Sequence, residues 1–236
     1  MDLEQLTQGY TPTPETVELV KNTKITLLVG ISGAGKDTIK RQLLQKEGYC
    51  DIVSHTTRKP RNNNGIMEID GEDYHFISPD TARTMLVRQA FIEAKFVHDT
   101  LYGTSANEVR LAHAANKIAV TDIDVQGVDE YKELSQDVIA IFILPPSYGV
   151  WRERLQKRYV TVEEFQAEWP KRRESAIMEL EKALFVPYYH FIINDALDRS
   201  VRIVDEIAQH GDVFHRKDDV ARLLARDILD EIRAHN

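Results

Sequence analysis

The stretch VGISGAGKDT, Val29–Thr38, constrains the fold of this chain more than any other. It follows a short β-rich apolar run, Ile25–Val29, and flows into KDTIKRQLLQKEG, which places Ile39, Leu43 and Leu44 on one helical face. Gly48 suits the C-terminal cap of that helix. Strand, glycine loop and helix in this order form a phosphate cradle. Gly30, Gly33 and Gly35 let the backbone of Gly30, Ile31, Ser32, Gly33, Ala34, Gly35, Lys36, Asp37 and Thr38 curl so that N–H groups meet an anion. Lys36 adds a point charge and the helix start adds its dipole. The pattern G-x-x-x-x-G-K-[ST] is met except at its last position, where Asp37 replaces the hydroxyl that helps hold magnesium. A carboxylate is also a good ligand for that hard cation, so the sequence predicts that Asp37 holds it directly or through water.

Apolar runs at Lys117–Asp124, Val138–Leu144 and His190–Asn194 read as further buried parallel strands, each followed by a helical stretch. The fold class is therefore α/β: a phosphate-loop, parallel-sheet core with helices on both faces. Residues 54–104 alternate apolar and polar positions and carry the turn signals NNNG and IDGED, which predicts an inserted β lobe. Within the lobe, Ser78-Pro79 opens a helix. Ser105 with Glu108 reads as the capping box of another helix, running to about Ala115. Residues 151–180 read as a helical flap that Pro170 splits in two. The core is thus expected at 23–53, 105–150 and 181–210 within a domain spanning 23–210. Residues 1–22 read as a loose arm and 211–236 as a helical extension whose stripe is Val220, Leu224, Ile228 and Ile232.

A net charge of −8 argues against a general nucleic-acid binder, although local arginines still serve a small anionic substrate. The strongest apolar run, VIAIFIL, is too short to span a bilayer, and MDLEQLTQGY is no signal peptide. The expected setting is cytoplasmic, without a membrane. Cys50 is the single cysteine, which excludes an internal disulfide and a cysteine-based zinc site within one chain; it reads as buried filler.

Three other clusters handle anions. SHTTRKPR carries Arg58 and Arg61, which could grip one phosphate as a pair of forks; alone, it is a solvated turn. TDIDVQG sets Asp122 and Asp124 on one strand face at the carboxyl edge of a parallel sheet, where ligands bind; alone, they are acids facing solvent. Arg152, Arg154, Arg158, Arg172 and Arg173 on the flap could close over a phosphoryl group; alone, they are a salt-bridged surface helix among Glu153, Glu163, Glu164 and Glu168. Together with the glycine loop they predict phosphoryl transfer to a second phosphorylated ligand.

From about Lys24 to about Glu206 the chain resembles the guanylate kinase family, through SHTTRKPR, GEDYHF, FIEAKF, YGTS, DIDVQG, ILPPS and RLQKR in order. The resemblance implies a GMP-binding β lobe at 54–104 and a lid at 151–180. It implies transfer of the γ-phosphoryl group of ATP to GMP with Mg2+. Arg58, Arg61 and Tyr74 would hold the GMP phosphate, with Ser54 and Tyr102 beside the nucleotide. Glu93, Thr104 and Asp124 would read guanine. Lys36, Arg154, Arg158 and Arg172 would be catalytic, Asn194 would lie near the adenine, and Asp122 near the metal and the phosphates. The partners implied are ATP and GMP; monomer and homo-oligomer both stay open.

Three departures from the family pattern stand out: Asp37, a longer stretch between Arg61 and Tyr74, and a longer lid between Arg158 and Arg172. Two alternatives remain. Ribose-bisphosphate phosphokinases resemble this fold and can carry Asp after the loop lysine. Guanylate-kinase-like domains of scaffold proteins bind phosphopeptides without ATP chemistry.

Overall fold

The computed structural model describes residues 2–63, 66–97, 99–211 and 219–235; the last half of the NNNG turn lies outside them. The elements begin with α1 (Leu3–Thr7), α2 (Pro14–Lys21), β1 (Ile25–Val29), α3 (Lys36–Leu44), β2 (Tyr49–Asp51), β3 (His55–Thr56), β4 (Asn62–Asn63), β5 (Ile66–Met67) and β6 (His75–Phe76). They continue with α4 (Pro79–Val87), β7 (Phe91–Val97), β8 (Thr100–Ser105), α5 (Ala106–Ala114), β9 (Ile118–Asp122), α6 (Val125–Leu134) and β10 (Ile139–Leu144). The chain ends with α7 (Tyr148–Gln156), α8 (Val162–Phe185), β11 (Tyr189–Ile193), α9 (Leu197–His210) and α10 (Asp219–Ala234). A five-stranded sheet has the order β11-β10-β1-β9-β2, and a four-stranded sheet the order β6-β3-β8-β7. The predicted parallel strands are all present, and β2 is one that the sequence reading missed. No helix among the described residues is long and apolar enough to cross a membrane.

The chain divides into two compact units, residues 1–25, 47–121 and 129–138, and residues 26–46, 122–128 and 139–236. In the first, β8 pairs antiparallel with β3 and β7, and β3 pairs parallel with β6. Leu3, Ala82, Leu86, Phe91 and Leu101 form its apolar cluster, so α1 and α4 close over the sheet. Residues 1–22 are therefore not a loose arm. Asp2 and Thr13 cap α1 and α2 through their side chains, and burial of Leu3, Thr16 and Val20 anchors both helices. Tyr10 adds a specific tie. The register of β7 against β8 slips between Phe91 and Glu93, a bulge that leaves backbone groups out of the ladder. The Tyr10 hydroxyl donates to the Phe91 carbonyl at 2.8 Å and accepts from its N–H at 2.9 Å. Burial pushes the phenol up to about 12, so the donor proton stays in place at neutral pH.

In the second unit, β1 pairs parallel with β10 and β10 with β11, with Leu28 opposite Ile141 and Phe142 opposite Phe191. Helices α3 and α9 pack together, and α10 lies on α7, α8 and β11. The buried stripe of α10 is Ala221, Ala225, Ile228, Leu229 and Ile232, whereas Val220 is exposed. The expected stripe followed strict four-residue spacing, which drifts around a 3.6-residue helix. Pro170 does not split the flap: it lies inside α8, and the break falls instead between α7 and α8, where Thr161 and Glu164 form a capping box.

Three smaller expectations also change. Helix α3 ends at Leu44 with Gln45 as its cap, four residues ahead of Gly48. Ser105 precedes α5 without a side-chain cap bond, and the Glu108 carboxylate, which would close the other half of a capping box, is taken by the Val53 N–H at 3.3 Å and faces the His75 ring at 3.2 Å. Cys50 is only half-buried, and desolvation pushes its thiol up, away from reactivity.

Tyr10→Phe leaves both bulge groups of Phe91 without their partner. Chemical denaturation is expected to show a loss of about 2 kcal/mol. An unchanged midpoint would mean that the bulge is satisfied without the hydroxyl.

Candidate active site

The glycine loop joins β1 to α3 in the second unit. Gly30 has φ 139°, and a Cβ there would stand 2.3 Å from the Ile143 carbonyl oxygen; Gly35 has φ 100°, and a Cβ there would stand 2.3 Å from the Asn194 amide nitrogen. The curl is fixed from its acceptor side. Lys36 Nζ donates to the Gly30 carbonyl at 2.5 Å, the Trp151 indole to Ser32 O at 2.7 Å and Asn194 Nδ2 to Ala34 O at 2.9 Å. Ile31 and Ala34 are fully buried. Asp37 and Thr38 are exposed in the first turn of α3.

Two of the flap arginines reach this loop or the residue that supports it, and a third, Arg172, pairs within the flap. Arg154 donates to the Asn194 carbonyl at 3.1 Å. Arg158 donates to Ser32 Oγ at 3.2 Å and approaches Asp37 Oδ2 to 3.7 Å. Arg172 donates to the Tyr159 hydroxyl at 2.9 Å and pairs with Glu168 at 3.8 Å. The other two serve packing: Arg152 lies over the Trp169 ring, and Arg173 donates to the carbonyls of Ile232 and Arg233 at the end of α10.

Asp122 ends β9 and pairs with Lys40 at 3.1 Å. Asp124 lies beyond the strand rather than on one strand face with it: its Oδ1 accepts from the N–H groups of Gln126 and Gly127, capping α6. Glu179, on α8, was not singled out in the sequence. Burial pushes its carboxyl up, Lys36, Ser175 and Arg172 pull it down, and Asp124 adds to the rise. A helical glutamate among many on the flap carried no signal of this setting.

The lobe residues gather on the four-stranded sheet of the first unit. Glu93 stands opposite Thr104, and Thr56 opposite Tyr102. Glu93 is 8% exposed and accepts from the Thr104 hydroxyl at 2.8 Å, while Ser54 Oγ lies 3.5 Å from that hydroxyl. Tyr131, fully buried beneath them, has its phenol pushed above the ordinary range by desolvation and by the Glu93 charge. The Tyr74 and Tyr102 rings meet edge to face at 6.1 Å, and the Arg58 guanidinium sits 4.8 Å over Tyr74.

Glu68, also missed, organises both arginines of the SHTTRKPR cluster. It accepts from Arg58 at 2.5 and 2.8 Å as a fork pair and from the Arg61 N–H at 2.7 Å. The bond from Arg58 holds the Glu68 carboxyl below its ordinary 4.5.

A strand running through a glycine loop into a helix, with a lysine and arginines gathered at that loop, defines a P-loop kinase. The chain belongs to the guanylate kinase family, whose model matches residues 22–211. It is 38% identical over 177 residues to the guanylate kinase of Sus scrofa, covering 74% of this chain and 86% of the relative. With the guanylate kinase of Caldanaerobacter subterraneus subsp. tengcongensis it shares 36% over 193 residues, covering 81% and 89%. The crystal structure of guanylate kinase from Anaplasma phagocytophilum has the same fold, with a TM-score of 0.59 at 23% identity over 81% of this chain and 87% of that one. These matches favour a nucleotide kinase over the ribose-bisphosphate and phosphopeptide-binding alternatives.

Gly35→Ala would force a strained φ and drive a methyl group into the Asn194 amide. Calorimetry is expected to show loss of ATP binding while circular dichroism shows a folded chain; retained affinity would mean that the curl relaxes. The Glu68–Arg58 pair has an acid signature. Because the folded carboxyl titrates below 4.5, its stabilisation is complete above that pH and is lost as pH falls through the folded value. Below pH 4.5 the unfolding free energy should therefore fall more steeply in the parent than in Glu68→Gln. Parallel curves would refute the coupling.

Proposed function

We propose that this chain transfers the γ-phosphoryl group of ATP to GMP, giving ADP and GDP. The observation that carries this reading is the buried Glu93 carboxylate, held by Thr104 beside Ser54 on a sheet that also carries Arg58, Tyr74 and Tyr102. A carboxylate here accepts from guanine N1–H and N2–H; adenine lacks these donors and would leave it unpaired. Asp124 would join it in reading the base. Arg58, Arg61 and Tyr74 would hold the GMP phosphate, and Tyr102 would contact the nucleotide.

Residues Gly30 to Thr38 would cradle the ATP phosphates, with Asn194 near the adenine. A GMP phosphate oxygen attacks the γ-phosphorus in line as the bond to the bridging oxygen breaks and ADP leaves. Lys36, Arg154, Arg158 and Arg172 would neutralise the charge spread over the transferring group.

No cluster of three or more acidic, histidine or cysteine side chains among the described residues could hold a metal unaided. Mg2+ suits such a place, since it takes one or two carboxylates plus substrate phosphates. Asp37 and Asp122 would supply those carboxylates, Asp122 through water, and the bound ion would offset phosphate charge. A cytoplasmic setting and small-molecule partners without nucleic acid or membrane complete the proposal.

A coupled assay with ATP-Mg and GMP, dGMP, AMP, CMP or UMP should show turnover with GMP; none would overturn the proposal. Glu93→Gln should lower kcat/KM for GMP by about 10- to 100-fold, the worth of a charge-assisted hydrogen bond. Unchanged GMP kinetics would remove Glu93 from base reading. Asp37→Ser should bind metal-free ATP about 1 kcal/mol more tightly, because a carboxylate beside the phosphates is gone. Equal metal-free affinities would refute the metal role of Asp37.

A further inference from the structure

The four-stranded sheet has a second face. Strand alternation sends Thr56, Phe76 and Thr104 one way and His55, His75 and Ser105 the other. On that other side lies a cavity of about 480 Å³. His55 lines it, nine-tenths buried, and its Nδ1 has no hydrogen-bond partner among the described residues. His75 packs on His55 with ring centroids 4.6 Å apart, and its Nε2 lies 3.2 Å from Glu108 Oε1.

Two guanidinium groups, Arg88 and Arg110, also line the cavity, and neither has an ion pair or side-chain hydrogen bond among the described residues. The opposing charge, Glu108, is already taken by His75 and the Val53 N–H. Two arginines against one carboxylate leave the cavity with a net positive charge. It also holds the start of α5, where Ser105 leaves the first turn without a side-chain cap.

The rest of the wall is polar. Thr13, Thr16, Gln89 and Asn107 offer hydroxyls and amides, with Met85 and Ala90 as the apolar patch. The volume exceeds what a bare oxyanion fills. Gln89 is held in place although its φ of 50° suits glycine: it follows α4 as a left-handed cap, and its side chain donates to Thr11 O at 2.9 Å. Thr13 and Thr16 lie outside the family match, so this chain's own N-terminal segment builds part of the wall.

We propose that this cavity is a second ligand site, which takes a phosphate monoester carried on a polar, hydroxyl-bearing body. The phosphate meets Arg88, Arg110 and the start of α5. The body meets Thr13, Thr16, Gln89 and the His55 imidazole. The ligand thus sits behind the strands that follow Ser54 and Tyr74 and that carry Thr104, and its binding bears on those strands directly.

The test is a titration of the isotope-labelled full chain, followed through the ring signals of His55 and His75. The probes are glucose 6-phosphate, inorganic phosphate and glucose. Glucose 6-phosphate should give a saturable shift, inorganic phosphate a weaker one, and glucose none. In Arg88→Ala/Arg110→Ala, at two exposed positions, the affinity should fall about tenfold or more. Arg61→Ala, at an exposed position, should leave the titration unchanged, which separates this site from the proposed GMP phosphate contact whether or not that reading holds. The proposal fails if no probe gives a saturable shift, if the shift survives the double variant, if glucose matches its phosphate, or if Arg61→Ala abolishes it.

Discussion

The tight approach of the glycine loop to its supports is the constraint on which the second unit depends. Neither Gly30 nor Gly35 has room for a Cβ, because the Ile143 carbonyl and the Asn194 amide already occupy that space. The same supports satisfy the loop's acceptors: Lys36, Trp151 and Asn194 take the carbonyls of Gly30, Ser32 and Ala34. With its oxygens tied, the loop has its N–H side left to offer an anion. The donors come from α3, α7 and the end of β11, so the loop has its working shape only when β10, α7 and β11 are in place. Folding of the core and preparation of the phosphate site are one event.

The cations near both sites are held by weaker anions in the same chain. Arg158 has Ser32 and a long contact to Asp37, with both charged groups about half exposed, which is worth little against solvent and salt. Arg58 has a short fork to Glu68 with both side chains nearly buried, and removing either partner would strand a charge. The flap cation is therefore only loosely held by its partner. The lobe cation is fixed in orientation. Its Nε is buried and has no hydrogen-bond partner among the described residues.

Residues whose role is chemical were legible because chemistry demands particular types at particular spacings. The loop and the core strands follow from local pattern, whereas the Glu93–Thr104 pair came only through the resemblance to the family. Positions set by packing were not. Trp151 reads as one more aromatic, yet its indole holds the loop. Glu68 and Glu179 look like ordinary surface acids until the fold closes around them. Pro170 was read as a break because its missing N–H costs helix stability. Helix α8 runs through it all the same, with Phe165, Ala176, Leu180 and Ala183 buried along its length. Tertiary burial outweighed the local penalty, and local patterns do not encode it.

Both segments outside the family match brace one unit each, by the same logic. Helix α10 receives two bonds from Arg173, and Arg233 pairs with Glu181, so the far half of α8 is held along a second helix. At the other end, the slip in β7 sets which residue of the strand stands opposite Thr104, and that residue is Glu93. A bulge is costly when its backbone groups are buried and unpaired. Tyr10 meets both groups at Phe91, two residues before Glu93. The register that presents the Glu93 carboxylate, proposed above to read guanine, is thus stabilised by a side chain more than eighty residues away in sequence, in a segment that the family pattern does not include.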